Sequence, residues 1–254
     1  MKLGLVTYNL GRDWDVPTLI KHCAAARFEG VELRSTHAHK VEADLSPARR
    51  AEVRKQFEDS PVELYGLGTA FEFQSPDPAT LQKNIDGTKA YVRLAADVGA
   101  MGIKVRPNGL PRGVPEEKTL EQIGRAYRQV AQFGADHGVQ LWMEVHGRGT
   151  SHPTRFKKII DLADHPNALV CWNCNAIDID ENGEIAWGLE PLIHKLGEVH
   201  IHDLYAGYPY ADLFHRLLGV GFRQYTGVES PGSPDAPRIL KFYRALWDKM
   251  VLSA

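Results

Sequence analysis

Four polar residues in the second half of the chain have the types found in sites for divalent cations. They are Glu144, Asn173, His200 and Glu229. Each ends an aliphatic or aromatic run, and three of them have a second polar residue two positions on: His146, Asn175 and His202. A spacing of two places both side chains on the same face of a β-strand. Carboxylate and amide oxygens with one imidazole suit Mn²⁺, Mg²⁺, Co²⁺ or Zn²⁺, and of these we expect Mn²⁺.

An ordinary hydrogen-bond network among polar residues is the alternative interpretation of this pattern. One buried glutamate is compatible with such a network. Two glutamates and a histidine at matching strand ends require a compensating charge, because a buried carboxylate without a partner is costly. We therefore favour a metal site.

Short β-branched or aliphatic runs alternate with longer amphipathic segments along the whole chain. Eight runs are predicted as strands: 3–8, 31–35, 62–67, 102–106, 140–145, 168–173, 198–202 and 224–229. Eight further segments are predicted as helices: 16–27, 47–59, 78–98, 117–137, 153–163, 189–195, 211–218 and 237–249. Ser46-Pro47 and Asp77-Pro78 each put a capping side chain before a proline suited to a first helical turn.

The number of strand–helix units predicts a (β/α)8 TIM barrel. Eight units in 254 residues give about 32 residues per unit, which is typical of this fold. A doubly wound open sheet would normally show a glycine-rich phosphate turn after its first strand, and residues 7–12 have none. No linker-like segment divides the chain, so we expect one domain over residues 1–254. In such a barrel the strand ends meet at one face, where the polar pairs above would converge.

Composition excludes several classes of protein. Lys and Arg number 30 against 32 Asp and Glu, and no basic block stands out, which argues against a nucleic-acid partner. No run approaches 18 apolar residues, so no membrane span is predicted. The N-terminal segment resembles a first strand and not a signal peptide, and three cysteines do not make a secreted disulfide framework. We expect a cytoplasmic protein.

The strand ends together resemble the metal quartet of the sugar phosphate isomerase/epimerase family, the xylose-isomerase-like TIM barrel superfamily. The most specific segments are 144–147, 199–203 and Glu229, and the resemblance extends over essentially the whole chain. It implies a divalent-metal site at Glu144, Asn173, His200 and Glu229, with both glutamates also acting as acid and base. The same scaffold hosts isomerases, epimerases, dehydratases, lyases and a DNA-repair nuclease, so the resemblance identifies the reaction poorly.

The sixth strand departs from the family pattern. Asn173 stands where the family has an aspartate, and Ala176 stands where a histidine is usual. The neutral amide can still bind a cation through its oxygen, but the ligand charge falls from −3 to −2. We therefore expect weaker metal binding and a more electrophilic ion. A non-catalytic sugar-binding relative that has lost the metal is the alternative.

The reaction expected from this site is proton transfer at a carbon next to a carbonyl, through an enediolate. Glu144 and Glu229 would remove and return the proton, giving a sugar isomerase or epimerase. A lyase or dehydratase that eliminates a leaving group from a keto-sugar or 3-keto-glycoside is the main alternative. A phosphodiesterase resembling AP endonuclease is disfavoured, since strand six lacks the Asp and His that its trinuclear site needs.

Six further polar residues are predicted to contact the substrate, which we expect to be a small carbohydrate. They are His37, Lys104, Arg106, His146, Asn175 and His202. His37 is expected near a substrate hydroxyl because the family often has a histidine near the end of that strand. Lys104 or Arg106 could hold a carbonyl oxygen or an acidic group, or could equally neutralise Glu32 or Glu144. A homo-oligomer is compatible with the sequence.

Overall fold

Eight parallel strands close into a barrel in strict chain order, β1 to β8, with β8 paired to β1. The computed structural model describes residues 1–254. The strands are β1 Lys2–Val6, β2 Gly30–Arg34, β3 Glu63–Glu72, β4 Gly102–Arg106, β5 Gln140–Glu144, β6 Ala168–Trp172, β7 Leu196–Ile201 and β8 Tyr225–Val228. The helices are α1 Val16–Ala25, α2 Pro47–Glu58, α3 Pro78–Val98, α4 Glu116–Asp136, α5 Pro153–Ala163, α6 Ala186–Leu189, α7 Tyr210–Gly219 and α8 Ala236–Ser253. The predicted (β/α)8 fold is confirmed.

Two predicted elements differ from the structure. The prediction of a sixth helix over 189–195 is wrong, because α6 ends at Leu189 and a separate 3₁₀ turn covers Ile193–Lys195. Pro191 lies between them and has no N–H to continue a helical ladder. Strand β3 extends to Glu72, five residues beyond its predicted end.

Local sequence explains where the helices begin. Asp77 accepts hydrogen bonds from the backbone N–H groups of Ala79 and Thr80, and Pro78 occupies the first turn of α3. The amphipathic helices pack their apolar faces onto the outside of the barrel, as Ile123, Tyr127 and Val130 of α4 illustrate by being fully buried. None of the helices combines the length and apolarity needed to cross a membrane.

Aromatic side chains fill the lower part of the barrel interior. Tyr65 of β3 stacks on Tyr225 of β8 with ring centroids 4.0 Å apart, and Trp142 of β5 is fully buried beside them. Neighbouring strands carry glycine where the indole of Trp142 lies. A Cβ added at Gly102 or Gly197 would approach Trp142 atoms to 2.5 Å or 2.3 Å. The ring therefore has its space only because these positions lack side chains, and it closes the barrel floor against water.

We expect Gly102→Ala to destabilise the fold by about 1–3 kcal/mol, because the new methyl group would force Trp142 out of its position. The matched control is Gly219→Ala at the end of α7, where an added Cβ meets nothing within 4 Å. Urea denaturation of both variants measures the free energy of unfolding. Equal stability of the two would show that the glycine next to Trp142 is not required by packing.

Candidate metal centre and substrate pocket

The ends of β5, β7 and β8 bring three of the predicted ligands together. One ligand atom each of Glu144, His200 and Glu229 lies within 4.8 Å of the other two. Asn173 follows β6 and lines the same cavity as Glu144 and Glu229. All four predicted metal ligands thus lie at the carboxyl ends of neighbouring strands, where a TIM barrel places its chemistry.

Two unpaired atoms indicate that the donor set fits a cation. Asn173 Oδ1 and His200 Nδ1 are buried and have no hydrogen-bond partner. His200 Nδ1 lies 3.5 Å from Glu229 Oε2 without a hydrogen bond between them. Buried polar atoms without partners are rare, and a lone pair on each of these can coordinate a metal ion. The residues present therefore fit a divalent cation.

Two glutamates below the site orient His200. Its Nε2 lies 3.2 Å from Glu198 Oε1 and 3.3 Å from Glu32 Oε2, and all three side chains are fully buried. An Nε2–H group donates to these carboxyls, and Nδ1 faces Glu229, where its lone pair would coordinate a bound cation. Burial and the adjacent Glu32 carboxylate raise the pKa of Glu198 above its usual range, so this pair holds one proton at neutral pH.

The sequence analysis missed Glu32 and Glu198 as parts of the site. The signal was present, since Glu198 precedes His200 by two positions and therefore faces the barrel interior with it. Glu32 appeared only as a carboxylate that a basic residue would neutralise. The structure gives it the His200 imidazole as its partner.

Lys104 of β4 forms an ion pair with the ligand Glu144. Its Nζ lies 2.5 Å from Glu144 Oε2, with side-chain exposures of 3% and 5%. Burial opposes ionisation of Glu144, but Lys104 and then His200 outweigh it and hold its pKa below the usual range. Glu144 is therefore a carboxylate whether or not an ion is bound. Of the two roles expected for Lys104, the structure supports neutralisation of Glu144.

A cavity of about 430 Å³ lies above these ligands. Four of the six predicted substrate residues line it: Lys104, Arg106, His146 and His202. The structure does not bring the other two, His37 and Asn175, to its wall. The amide of Asn175 instead donates to the backbone oxygen of Val145 at 2.8 Å. The substrate-binding roles of these residues stay predictions.

The two histidines of the wall are held differently. His202 Nδ1 lies 3.1 Å from the backbone oxygen of Glu229 and its Nε2 lies 3.0 Å from that of Asn173, so the ring braces the segments after β6 and β8. His146 is bonded at one nitrogen, Nδ1, 3.2 Å from Asn108 Oδ1. Partial burial lowers the pKa of His146 and favours its neutral form. The Nε2 atom of His146 is therefore an acceptor.

Asn173→Asp should tighten Mn²⁺ binding, because it restores a charged ligand at an atom that has no other partner. Asn175→Asp is the matched control, since the same substitution two residues away lies outside the cavity wall. Isothermal titration calorimetry with Mn²⁺ measures both. An affinity gain for Asn175→Asp equal to that of Asn173→Asp would assign the effect to general charge and remove Asn173 from the ligand set.

Lys104→Met should destabilise the metal-free protein by about 3 kcal/mol, because it leaves the buried Glu144 carboxylate without a partner. Added Mn²⁺ should restore part of the loss, since the ion neutralises the same carboxylate. Lys157→Met is the control: its pair with Asp161 is 2.7 Å long but lies on the surface, and its loss should cost under about 1 kcal/mol. Denaturant titrations with chelator and with Mn²⁺ measure these differences, and an effect of Lys104→Met no larger than the control would contradict the assignment.

Comparisons with known proteins agree with the barrel fold. Residues 20–246 match the family described as xylose isomerase-like TIM barrel. No curated protein sequence matches the chain. Its structure is similar to that of L-ribulose 3-epimerase, with 16% identity, 99% of this chain and 95% of that chain covered, and a TM-score of 0.84.

Two other solved structures share the fold. The probable 3-DHS dehydratase AsbF from Bacillus anthracis has 16% identity, coverage of 98% of this chain and 99% of that chain, and a TM-score of 0.77. The IolI protein, solved with a bound zinc atom, has 14% identity, coverage of 100% and 97%, and a TM-score of 0.74. Because the family match spans most of the sequence, the chain belongs to the xylose isomerase-like TIM barrel family.

Proposed function

We propose that this protein is a divalent-cation-dependent isomerase or epimerase of keto-sugars, which moves a proton at the carbon next to a carbonyl. The observation that carries the proposal is the convergence of Glu144, His200 and Glu229 beneath a cavity of sugar size. The similarity to L-ribulose 3-epimerase supports the substrate class.

Glu144, Asn173, His200 and Glu229 would hold the cation, which we assign as Mn²⁺. Their oxygen-rich set with one imidazole suits this ion, and the zinc atom bound by the IolI protein, which has a similar fold, supports a metal-dependent enzyme. When bound, a divalent cation polarises a substrate carbonyl and stabilises the negative charge that develops on its oxygen.

The two glutamates are suited to remove and return a proton. Burial opposes ionisation of Glu229, but the adjacent His200 outweighs it and holds its pKa below the usual range, as Lys104 does for Glu144. Both are therefore carboxylates at neutral pH, able to accept a proton from a carbon acid. Return of the proton to the carbonyl carbon isomerises the sugar, and return to the opposite face of the same carbon epimerises it.

Elimination from a keto-sugar or 3-keto-glycoside is the second candidate, and the similarity to a dehydratase supports it. It shares the first proton abstraction and then needs a group that protonates the leaving oxygen. His146 is a poor donor for that step, since it is neutral with Nδ1–H directed at Asn108 Oδ1. This favours the isomerase or epimerase.

Glu144→Gln and Glu229→Gln should each abolish exchange of a substrate C–H with deuterated water. Glutamine can still coordinate a cation through its amide oxygen, but an amide is no base at neutral pH. Exchange is followed by mass spectrometry with a panel of ketopentoses, ketohexoses and 3-keto-glycosides at saturating Mn²⁺. Calorimetry confirms that each variant carries the ion, which separates loss of the base from loss of the metal.

Exchange at the wild-type rate in either metal-loaded variant would remove that glutamate from the proton transfer. Exchange accompanied by release of water or an alcohol would select the lyase over the isomerase. If the wild-type protein exchanges no member of the panel, the proposed chemistry is wrong.

A further inference from the structure

Positive and negative side chains balance in the cavity wall before any ion is added. The cations are Arg34, Lys104 and Arg106, and the carboxylates are Glu144, Asp203 and Glu229. Glu72 beside Arg106 and the buried Glu32–Glu198 pair add further negative charge around this wall. The capacity to bind an anion therefore depends on which cation of the wall lacks a partner.

Arg34 is the cation of the wall that has no anionic partner. Lys104 pairs with Glu144 at 2.5 Å, and Arg106 Nη2 lies 3.6 Å from Glu72 Oε2. No carboxylate oxygen lies within 4.0 Å of the Arg34 guanidinium nitrogens. Partly buried charges are normally paired, so this one has capacity for an external anion.

The protein holds the Arg34 guanidinium in one orientation. Its Nη1 donates to the backbone oxygens of Gly68 and Thr69, both at 2.9 Å, and its guanidinium carbon lies 5.3 Å from the centre of the Tyr8 ring. Nε is buried without an acceptor, and Nη2 has none in the protein either. Because Nε is closed off by the surrounding protein, Nη2 is the nitrogen of this group left for a ligand.

The adjacent strand β3 has a glycine that leaves room for the Arg34 side chain. Arg34 follows Glu32 by two positions on β2 and faces the interior with it. A Cβ added at Gly68 of β3 would lie 2.1 Å from Glu32 Oε1 and 2.7 Å from Arg34 Cδ, so both side chains have their positions because that residue is glycine. A fixed guanidinium with a free charged donor can hold an anionic oxygen of a ligand.

We propose that the substrate is a keto-sugar acid, whose carboxylate is bound by Arg34 while Glu144 and Glu229 act next to its carbonyl. This rests on the proposed function, because the acid is the substrate of the same site. A carboxylate is favoured over a phosphate because the free Nη2 group of Arg34 offers at most two N–H donors, too few for the three oxygens of a phosphate.

Two pairs of sugars test the proposal, since in each pair a hydroxymethyl group is replaced by a carboxylate. They are D-fructose with 2-keto-D-gluconate and L-sorbose with 5-keto-D-gluconate. Binding to the Mn²⁺-loaded protein is measured by calorimetry, and C–H exchange is followed in deuterated water. We expect at least one acid to bind about tenfold more tightly than its neutral counterpart, the range of one charged hydrogen-bonded contact.

Arg34→Gln should remove this preference for the acid, and Arg34→Lys should retain only part of it, because lysine keeps the charge and lacks the planar edge. Arg148→Gln is the control: Arg148 is an exposed cation of the loop between β5 and α5 that lies outside the cavity wall, and the preference should persist. Circular dichroism shows whether each variant is folded. If Arg34→Gln does not fold, the wild-type comparison and Arg34→Lys decide.

Equal binding of acids and neutral sugars by the wild-type protein, or no binding of either acid, would overturn the inference. Tighter, Arg34-dependent binding of D-fructose 6-phosphate than of both acids would replace the carboxylate by a phosphate and overturn it as well. Exchange of neutral sugars without a preference for acids would refute only the inference. Arg34-dependent binding of acids without exchange of any sugar would refute the proposed reaction and leave the anion site.

Discussion

The imidazole of His200 lies between two sets of buried carboxylates, and the rest of the site depends on that contact. Glu32 and Glu198 accept from its Nε2 side, and Glu229 and Glu144 lie on the other side with their ligand atoms close together. Carboxylates so close together in a water-free interior cannot all be ionised without compensation. A shared proton below and cations above meet that requirement, and the same arrangement fixes which nitrogen of His200 faces Glu229.

The aromatic floor makes these electrostatic contacts strong. Trp142, Tyr65 and Tyr225 close the barrel below the carboxylates, and the glycines of neighbouring strands give the rings their space. Excluding water lowers the local dielectric, so each ion pair and hydrogen bond above the floor is worth more than on the surface. The lower part of the barrel interior is thus a packed aromatic layer, and the upper part holds the polar groups of the candidate site.

The proposed metal site of this chain differs in charge from the pattern expected for the family. Asn173 supplies an amide in place of a carboxylate, and Lys104 places an ammonium group directly on Glu144. With fewer ligand charges and a built-in cation, a bound ion is less fully neutralised by the protein. Under the proposed function, Arg34, which has no carboxylate partner, would then connect the choice of ligand on β6 with the choice of substrate.

Much of this architecture could be predicted from the sequence because it depends on patterns among residues that are close together in the chain. Strand periodicity indicated eight strand–helix units. The spacing of two between polar residues identified Glu144, Asn173 and His200, and the end of the eighth predicted run identified Glu229. Both signals arise within a few residues of one strand or helix. The prediction of the sixth helix was wrong for a local reason too, because Pro191 interrupts the predicted segment.

Contacts between strands were decided only by the tertiary structure. Spacing along one strand tells which face a residue occupies, but not the height at which it meets a residue from another strand. That height depends on the register of the closed barrel, which shifts between Val31 and Glu32 and again between Val170 and Cys171. The sequence therefore named Lys104 without choosing its partner and missed Glu198 and Arg34. It also placed His37 and Asn175 with the substrate, whereas the closed barrel leaves them outside the cavity wall.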